Sequence, residues 1–150
     1  MNIDQIGVFD SGVGGLTVLR EIANLLPDKK IIYLGDTARV PYGSKSPETV
    51  NKFSEQGIKF LQSKGVKLIV IACNTVSALS LDFLKERTSL PLIGVLEPGA
   101  EKAISLTKKG IIGVIGTEAT IASKAYTLSL IHISEPTRPL YISYAVFCLK

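Results

Sequence analysis

The chain has 150 residues, a formal net charge of +4 at pH 7 and a hydrophobic content of 46%. Its apolar runs are shorter than the eighteen or so residues that cross a membrane, and its lysines are scattered, so neither a membrane nor a nucleic-acid partner is expected. No secretory signal is evident at the start, so the predicted location is the cytoplasm, where two cysteines and one histidine indicate neither a disulfide framework nor a metal site.

Short apolar runs alternate with helical patterns along the chain. The runs are rich in β-branched residues and bounded by Gly, Pro or Lys, which predicts buried parallel strands over 6–9, 31–34, 68–72, 92–95 and 111–115. Helices are predicted between them, over 15–26, from Pro47 with Ser46 as the N-cap, and over 75–87, 99–107 and 118–128. This alternation predicts an α/β fold, an open, mostly parallel sheet with helices on both faces.

The pattern changes near residue 128. From Ser129 onward the chain has two prolines three residues apart, Pro136 and Pro139, and no sustained period. The amino-acid sequence of this segment resembles translated sequencing-adapter DNA, so we interpret residues 129–150 as a tail that is not natural protein. We expect it to form at most one exposed strand. On this interpretation His132 and Cys148 have no function.

Polar residues follow the predicted strands, at the edge where open parallel sheets bind their ligands. They are Asp10-Ser11, Gly35-Asp36, Cys73-Asn74-Thr75, Glu97 and Gly116-Thr117. Each has a structural explanation when taken singly, since Asp10 and Thr117 suit helix caps and Asn74 suits a turn. Their recurrence at successive strand ends in so apolar a chain favours a binding or catalytic site.

Cys73 ends one of these strands and comes directly before a predicted helix. A helix N-terminus stabilises a thiolate, so we expect a pKa below the value of about 8.5 of a free thiol. Such a thiol would serve as a base or nucleophile near neutral pH. The alternative is that Cys73 is a small, inert hydrophobe of the core.

The loop that follows the first strand, residues 10–16, has glycines at 12, 14 and 15. This spacing differs from G-x-G-x-x-G and lacks the lysine of a phosphate-binding P-loop, so nucleotide binding is a minor interpretation. Glycines would equally let backbone N–H groups approach a substrate carboxylate at a helix N-terminus.

Four segments together resemble the aspartate/glutamate racemase superfamily. They are GVFDSGVGGL at 7–16, GDTARVPYG at 35–43, IACNT at 71–75 and GTEAT at 116–120. The resemblance extends from residue 5 to residue 128. It implies an isomerase without a cofactor that interconverts L- and D-glutamate and supplies D-glutamate for bacterial peptidoglycan.

The resemblance also implies roles for individual residues. By matching motif, Cys73 is a catalytic thiol and Asp10 is its acid/base assistant. The partner that the resemblance implies for the chain is a small-molecule substrate, glutamate. The resemblance leaves open whether the parent protein is a homodimer. The positions that match substrate contacts are Ser11, Pro41, Tyr42, Gly43, Asn74, Thr75, Thr117 and Thr120.

The sequence departs from this superfamily in its later part. The superfamily uses a second thiol in a Cys-Thr-His motif, and nothing after Thr120 resembles that motif. We therefore predict that residues 1–97 form a first α/β domain without its returning segment, that 98–128 open a second one, and that the chain is an incomplete form without turnover of its own. Three alternatives stay open: a non-catalytic amino-acid-binding fragment, a racemase of aspartate or another amino acid, and a hydrolase with Cys73 as nucleophile, which lacks a credible histidine partner.

Overall fold

Two parallel sheets form the framework of residues 3–133 and 141–146, the part of the chain that the computed structural model describes. The first sheet has the strand order β2-β1-β3-β4, and the second pairs β5 with β6. The strands are β1 (Gln5–Asp10), β2 (Lys30–Gly35), β3 (Leu68–Ile71), β4 (Leu92–Gly94), β5 (Ile111–Gly116) and β6 (Tyr141–Val146). The predicted α/β class with a mostly parallel sheet is confirmed.

Helices connect these strands. They are α1 (Leu16–Leu25), α2 (Pro47–Ser63), α3 (Asn74–Leu79), α4 (Leu81–Lys85), α5 (Leu96–Leu106), α6 (Glu118–Ala122) and α7 (Ala125–Ile133). Helix α2 begins as predicted, because the Oγ of Ser46 accepts a hydrogen bond of 3.3 Å from the N–H of Thr49. No helix in the described residues is both long and apolar enough to cross a membrane.

Two predicted helices are each divided in two, so those predictions were wrong. The helix predicted over 75–87 breaks at Ser80, whose φ of −123° and ψ of −7° leave the helical region. The helix predicted over 118–128 breaks at Lys124, whose φ of 56° is left-handed. Tertiary packing at the two breaks overrides the continuous apolar period on which both predictions rested.

Helix α7 also continues past the position where the sequence predicted the last helix to end. It reaches Ile133 because Leu130, 1% exposed, anchors it in a core cluster with Ala100, Ile112 and Val114. Strand β6 then pairs with β5. The domain bounds at 97 and 128 and the origin of the tail stay predictions. His132 is exposed, and Cys148 lies outside the described residues.

The central strands β1 and β3 bring the site residues to one edge. They pair in parallel, with Phe9 opposite Ile71, and the N–H of Ala72 donates to the carbonyl of Phe9 at 2.8 Å. The residues that follow this pair are therefore placed at the same edge: Asp10 is the last residue of β1, and Cys73 comes two residues after the end of β3. Both strands are buried on both faces, which fixes this register.

Candidate active site

A cleft of about 600 Å³ lies at the carboxyl ends of β1, β3 and β5. Both sheets contribute to its lining, as expected for a ligand site beyond the ends of parallel strands. The polar side chains that line it are Asp10, Ser11, Thr17, Cys73, Asn74, Thr75, Thr117, Thr120 and Tyr126. Most of the residues that the sequence singled out therefore meet in one place.

Asp10 organises the glycine loop. Its Oδ2 accepts hydrogen bonds from the N–H of Gly12 at 3.1 Å and from the N–H of Gly15 at 2.9 Å. A Cβ at Gly15 would lie 2.7 Å from the Cβ of Asp10, so only glycine fits there. The loop thus turns two of its amides to Asp10, whereas the sequence suggested that such amides meet a substrate carboxylate.

The Cys73 thiol faces the cleft from the start of α3 and is 5% exposed. Its Sγ donates to the Oγ of Ser11 at 3.2 Å. Burial raises the pKa of this thiol, and the charge of Asp10 raises it further. In the ionised form the sulfur accepts instead, and hydrogen bonds from the Ser11 hydroxyl and from the backbone N–H groups of Val76 and Ser11 lower the pKa. The net direction is upward.

The prediction of a depressed Cys73 pKa was therefore wrong. Helix α3 has six residues, so little dipole faces the thiol. Desolvation of a nearly buried sulfur outweighs that field and the hydrogen bonds together.

Three threonine hydroxyls join the two halves of the cleft. The Oγ1 of Thr75, on α3, lies 3.1 Å from that of Thr117 and 3.3 Å from that of Thr120. Thr117 and Thr120 are themselves 2.9 Å apart, and the Thr117 hydroxyl caps α6 by accepting from the N–H of Thr120 at 3.4 Å. The structural role that the sequence allowed for Thr117 is real, and it coexists with a place in the cleft.

Pro41, Tyr42 and Gly43 are not among the described residues that line the cleft. Tyr42 is 2% exposed and its Oη donates to the Oδ2 of Asp36 at 2.5 Å. Burial and this carboxylate raise the pKa of Tyr42, which keeps it a donor. Pro41 is exposed. Direct contact of these three residues with a substrate stays a prediction.

Gly43 instead supports the threonine cluster. A Cβ at Gly43 would lie 2.4 Å from the Cβ of Thr117, and its carbonyl accepts from the N–H of Ala119 at 3.3 Å. Two other strand-end acids do not line the cleft: Asp36 pairs with the Nε of Arg39 at 2.6 Å, and Glu97 is exposed.

Sequence reasoning missed two tyrosines of the site. The Oη of Tyr33, on β2, donates to the carbonyl of Gly12 at 2.8 Å and lies 3.4 Å from the Oδ2 of Asp10. Burial and the charge of Asp10 raise the pKa of Tyr33 to about 12. Tyr126, on α7, lines the cleft and donates to the Oδ1 of Asn74 at 2.6 Å. Both lie inside regular elements, where a sequence pattern indicates packing rather than chemistry.

The family of the chain follows from a match to a family model. The model described as Asp/Glu/Hydantoin racemase matches residues 6–134. The chain belongs to this racemase family. The match extends past the predicted limit of the resemblance at residue 128 and covers every residue that lines the cleft.

Relatives within this racemase family share much of the sequence. The glutamate racemase of Geobacter metallireducens is 55% identical over 129 residues, which cover 86% of this chain and 48% of the relative. That of Chlorobaculum tepidum is 55% identical over 126 residues, covering 83% and 46%. The chain thus spans about half the length of the curated relatives it matches.

Solved racemase structures share the fold. A glutamate racemase isoform from Bacillus anthracis superposes with a TM-score of 0.89 at 46% identity, covering 95% of this chain and 53% of that one. The glutamate racemase of Francisella tularensis, in complex with D-glutamate, gives a TM-score of 0.84 at 42% identity, covering 96% and 53%. These similarities confirm the resemblance to the aspartate/glutamate racemase superfamily that the four segments indicated.

The cleft combines groups suited to proton transfer and to binding of an anion. A thiol and a serine hydroxyl are in contact, a carboxylate lies on the neighbouring strand end, and three threonine hydroxyls and an asparagine amide surround them. Among the residues that the structure describes, no group of three metal-ligating side chains is present.

Proposed function

We propose that this chain carries one half of the active site of a glutamate racemase that works without a cofactor. Cys73 exchanges the α-proton on one face of glutamate, and a second acid/base group on the other face comes from polypeptide that corresponds to the remainder of the relatives' length. The observation that carries the proposal is the contact of the Cys73 Sγ with Ser11 at 3.2 Å in a cleft that Asp10 also lines.

The proposed step moves one proton. The Cys73 thiolate takes the proton from the α-carbon of glutamate, so that an S–H bond forms, the C–H bond breaks and its electron pair stays on the carbon. Return of a proton to the opposite face by the second group gives the mirror-image product. In the reverse direction the Cys73 thiol is the acid. No electrons leave the substrate, so no redox partner is needed.

The raised pKa of Cys73 fits this chemistry in one respect and opposes it in another. The thiolate of a weakly acidic thiol is a stronger base, which helps to remove a proton from a weak carbon acid. Fewer such thiols are ionised at neutral pH. The hydrogen bonds from Ser11 and Val76 favour the thiolate, and we propose that Asp10 assists the proton transfer.

Glutamate is the proposed substrate because of the relatives rather than the cleft alone. The Francisella tularensis structure holds D-glutamate, and the relatives at 55% identity are glutamate racemases. The hydroxyls of Thr75, Thr117 and Thr120 supply donors for carboxylate oxygens. The proposal extends to the other motif-matched contacts, namely Ser11, Pro41, Tyr42, Gly43 and Asn74.

The proposed cellular role is the supply of D-glutamate for peptidoglycan in the cytoplasm. A homodimeric parent protein and the preference for glutamate over aspartate or another amino acid are predictions of the same kind. A non-catalytic fragment that only binds an amino acid is the competing proposal, since one thiol alone gives no proton donor for the second face.

A chimera separates these proposals. It joins residues 1–134 of this chain, which include all of α7 and end where the family match ends, to the part of the Geobacter metallireducens relative that follows the matched segment. We expect it to convert L-glutamate to D-glutamate without added pyridoxal phosphate, measured by circular dichroism, while the 150-residue chain binds glutamate without turnover.

Two results contradict the proposal. One is a folded chimera that binds L-glutamate and leaves it unconverted, and the other is conversion that survives Cys73→Ala. Lys108→Ala serves as the matched control, because Lys108 is exposed and is not among the cleft residues. That variant should convert L-glutamate at the unchanged rate.

A further inference from the structure

One hydrogen bond crosses the cleft from α7 to the first residue of α3. The Oη of Tyr126 donates to the Oδ1 of Asn74 at 2.6 Å, over a separation of 52 residues in the chain. Both residues line the cleft. Asn74 directly follows Cys73, so this contact lies next to the proposed proton-transfer group.

The contact settles which end of the Asn74 amide is left for a ligand. An asparagine side chain offers one carbonyl oxygen, which accepts, and one NH₂ group, which donates twice. Tyr126 engages the oxygen. Within residues 3–133 and 141–146 the Nδ2 of Asn74 donates no hydrogen bond to a side chain or to a backbone carbonyl. The donor end of the amide is therefore the end available in the cleft.

Tyr126 is well placed to hold this orientation. Its ring packs against the core cluster of Ala100, Ile112, Val114 and Leu130, which fixes the position of the hydroxyl. Burial raises the pKa of Tyr126, so the hydroxyl stays protonated and acts as a donor across the neutral range. An ionised tyrosine would accept instead and would attract the NH₂ end of Asn74.

We propose that Tyr126 is a positioning residue that fixes the Asn74 amide with its NH₂ group free for a carboxylate oxygen of the substrate. The inference rests on the proposed function, because it assumes that glutamate occupies this cleft. It adds a basis for selectivity. Both oxygens of a carboxylate accept hydrogen bonds, so either one suits the NH₂ group of Asn74. A carboxamide has one NH₂ group, and in one of its two orientations that group faces the NH₂ group of Asn74. The oriented Asn74 amide therefore discriminates against the monoamides of glutamate.

The ligand-free chain tests the orientation directly. In ¹⁵N-labelled protein, the Asn74 NH₂ signals are assigned by their loss in Asn74→Ala. Donation to Oδ1 strengthens the partial double bond to Nδ2 and slows its rotation. We expect Tyr126→Phe to shift these signals and to speed the exchange of the two protons. Tyr141→Phe, at an exposed tyrosine outside the cleft, should leave them unchanged.

Titration with L-glutamate tests the consequence for binding. A net hydrogen bond of about 0.5–1.5 kcal/mol corresponds to a rise in Kd of about two- to tenfold for Tyr126→Phe. The same change in the Asn74→Ala background should have no further effect, because the tyrosine acts through the amide. Glutamine and isoglutamine are titrated in the same way, and the one that binds more weakly is compared with L-glutamate. The ratio of its Kd to that of L-glutamate should be smaller in Tyr126→Phe than in the wild type.

The outcomes separate the two proposals. Unchanged Asn74 signals in Tyr126→Phe overturn the inference. So does a loss of L-glutamate affinity that Tyr126→Phe causes equally in the wild type and in Asn74→Ala. Asn74 signals that respond in a chain to which L-glutamate does not bind support the orientation and contradict the proposed function.

Discussion

The Sγ of Cys73 lies 3.2 Å from the Oγ of Ser11, the residue that follows Asp10 on the neighbouring strand. The two side chains come from strand ends 62 positions apart in the chain, brought together because β1 and β3 pair directly. When the sulfur is ionised the Ser11 hydroxyl donates to it instead, and this bond opposes the effect of burial on the pKa of Cys73. The protonation state of Cys73 is therefore set by a balance that one hydroxyl can tip.

Replacement of that hydroxyl should make Cys73 less reactive. In Ser11→Ala the thiolate loses a donor, so the pKa of Cys73 rises further above its ordinary value. The rate of alkylation by iodoacetamide, measured across pH, reports the fraction of thiolate. We expect its midpoint above about 8.5 in the wild type and higher still in Ser11→Ala.

Ser105→Ala is the matched control, since its hydroxyl bonds the Lys102 carbonyl on the exposed side of α5. It should leave the midpoint where it is. A midpoint that falls in Ser11→Ala, or that lies below a free thiol in the wild type, contradicts the balance described here.

Gly43→Ala should damage the cleft through Thr117. The added Cβ would lie 2.4 Å from the Thr117 Cβ, so the threonine must shift and its contact with Thr75 must weaken. We expect a loss of about 1–3 kcal/mol in the free energy of unfolding, measured in urea, and weaker binding of L-glutamate.

Gly113→Ala is the comparison for that change. Its added Cβ would meet only the Ser143 Oγ, at 3.8 Å, an ordinary contact. We expect stability within about 0.5 kcal/mol of the wild type, as for most substitutions at exposed sites. Equal effects of the two changes would show that Gly43 has no special relation to Thr117.

Two helical glycines should respond to alanine with opposite signs. Alanine is favoured over glycine in a helix by about 1 kcal/mol. At Gly99, in α5, an added Cβ meets nothing within 4 Å, so Gly99→Ala should stabilise the fold. At Gly57, in α2, it would lie 2.4 Å from the Phe9 ring, so Gly57→Ala should destabilise it. Thermal unfolding gives both signs, and a stabilising Gly57→Ala contradicts the packing of α2 on β1.

The sequence was sufficient for the fold class and for most of the cleft. Polar residues after apolar strands meet at one edge when the strands are parallel, which is why Asp10, Ser11, Cys73 and Thr117 were found together. Asp36 and Glu97 also follow strands but do not line the cleft. Asp36 comes after the outer strand β2 and bonds to Arg39 and Tyr42, and Glu97 is exposed.

Other features depended on contacts that a sequence does not display. The direction of the Cys73 pKa shift depends on how deeply the sulfur is buried, and α3 proved too short to reverse it. Tyr126 was missed because it lies beyond Lys124, where an expected single helix breaks and redirects the chain toward Asn74.

The most direct test of Cys73 as the proton-transfer group follows the α-hydrogen itself. In D₂O the chimera should replace the α-proton of L-glutamate with deuterium, seen as loss of its ¹H NMR signal. Cys73→Ser keeps the size of the side chain but makes a far weaker acid, so the exchange rate should fall by about 10²-fold or more. Exchange in Cys73→Ser at a rate close to that of the unaltered chimera would contradict the assignment of Cys73.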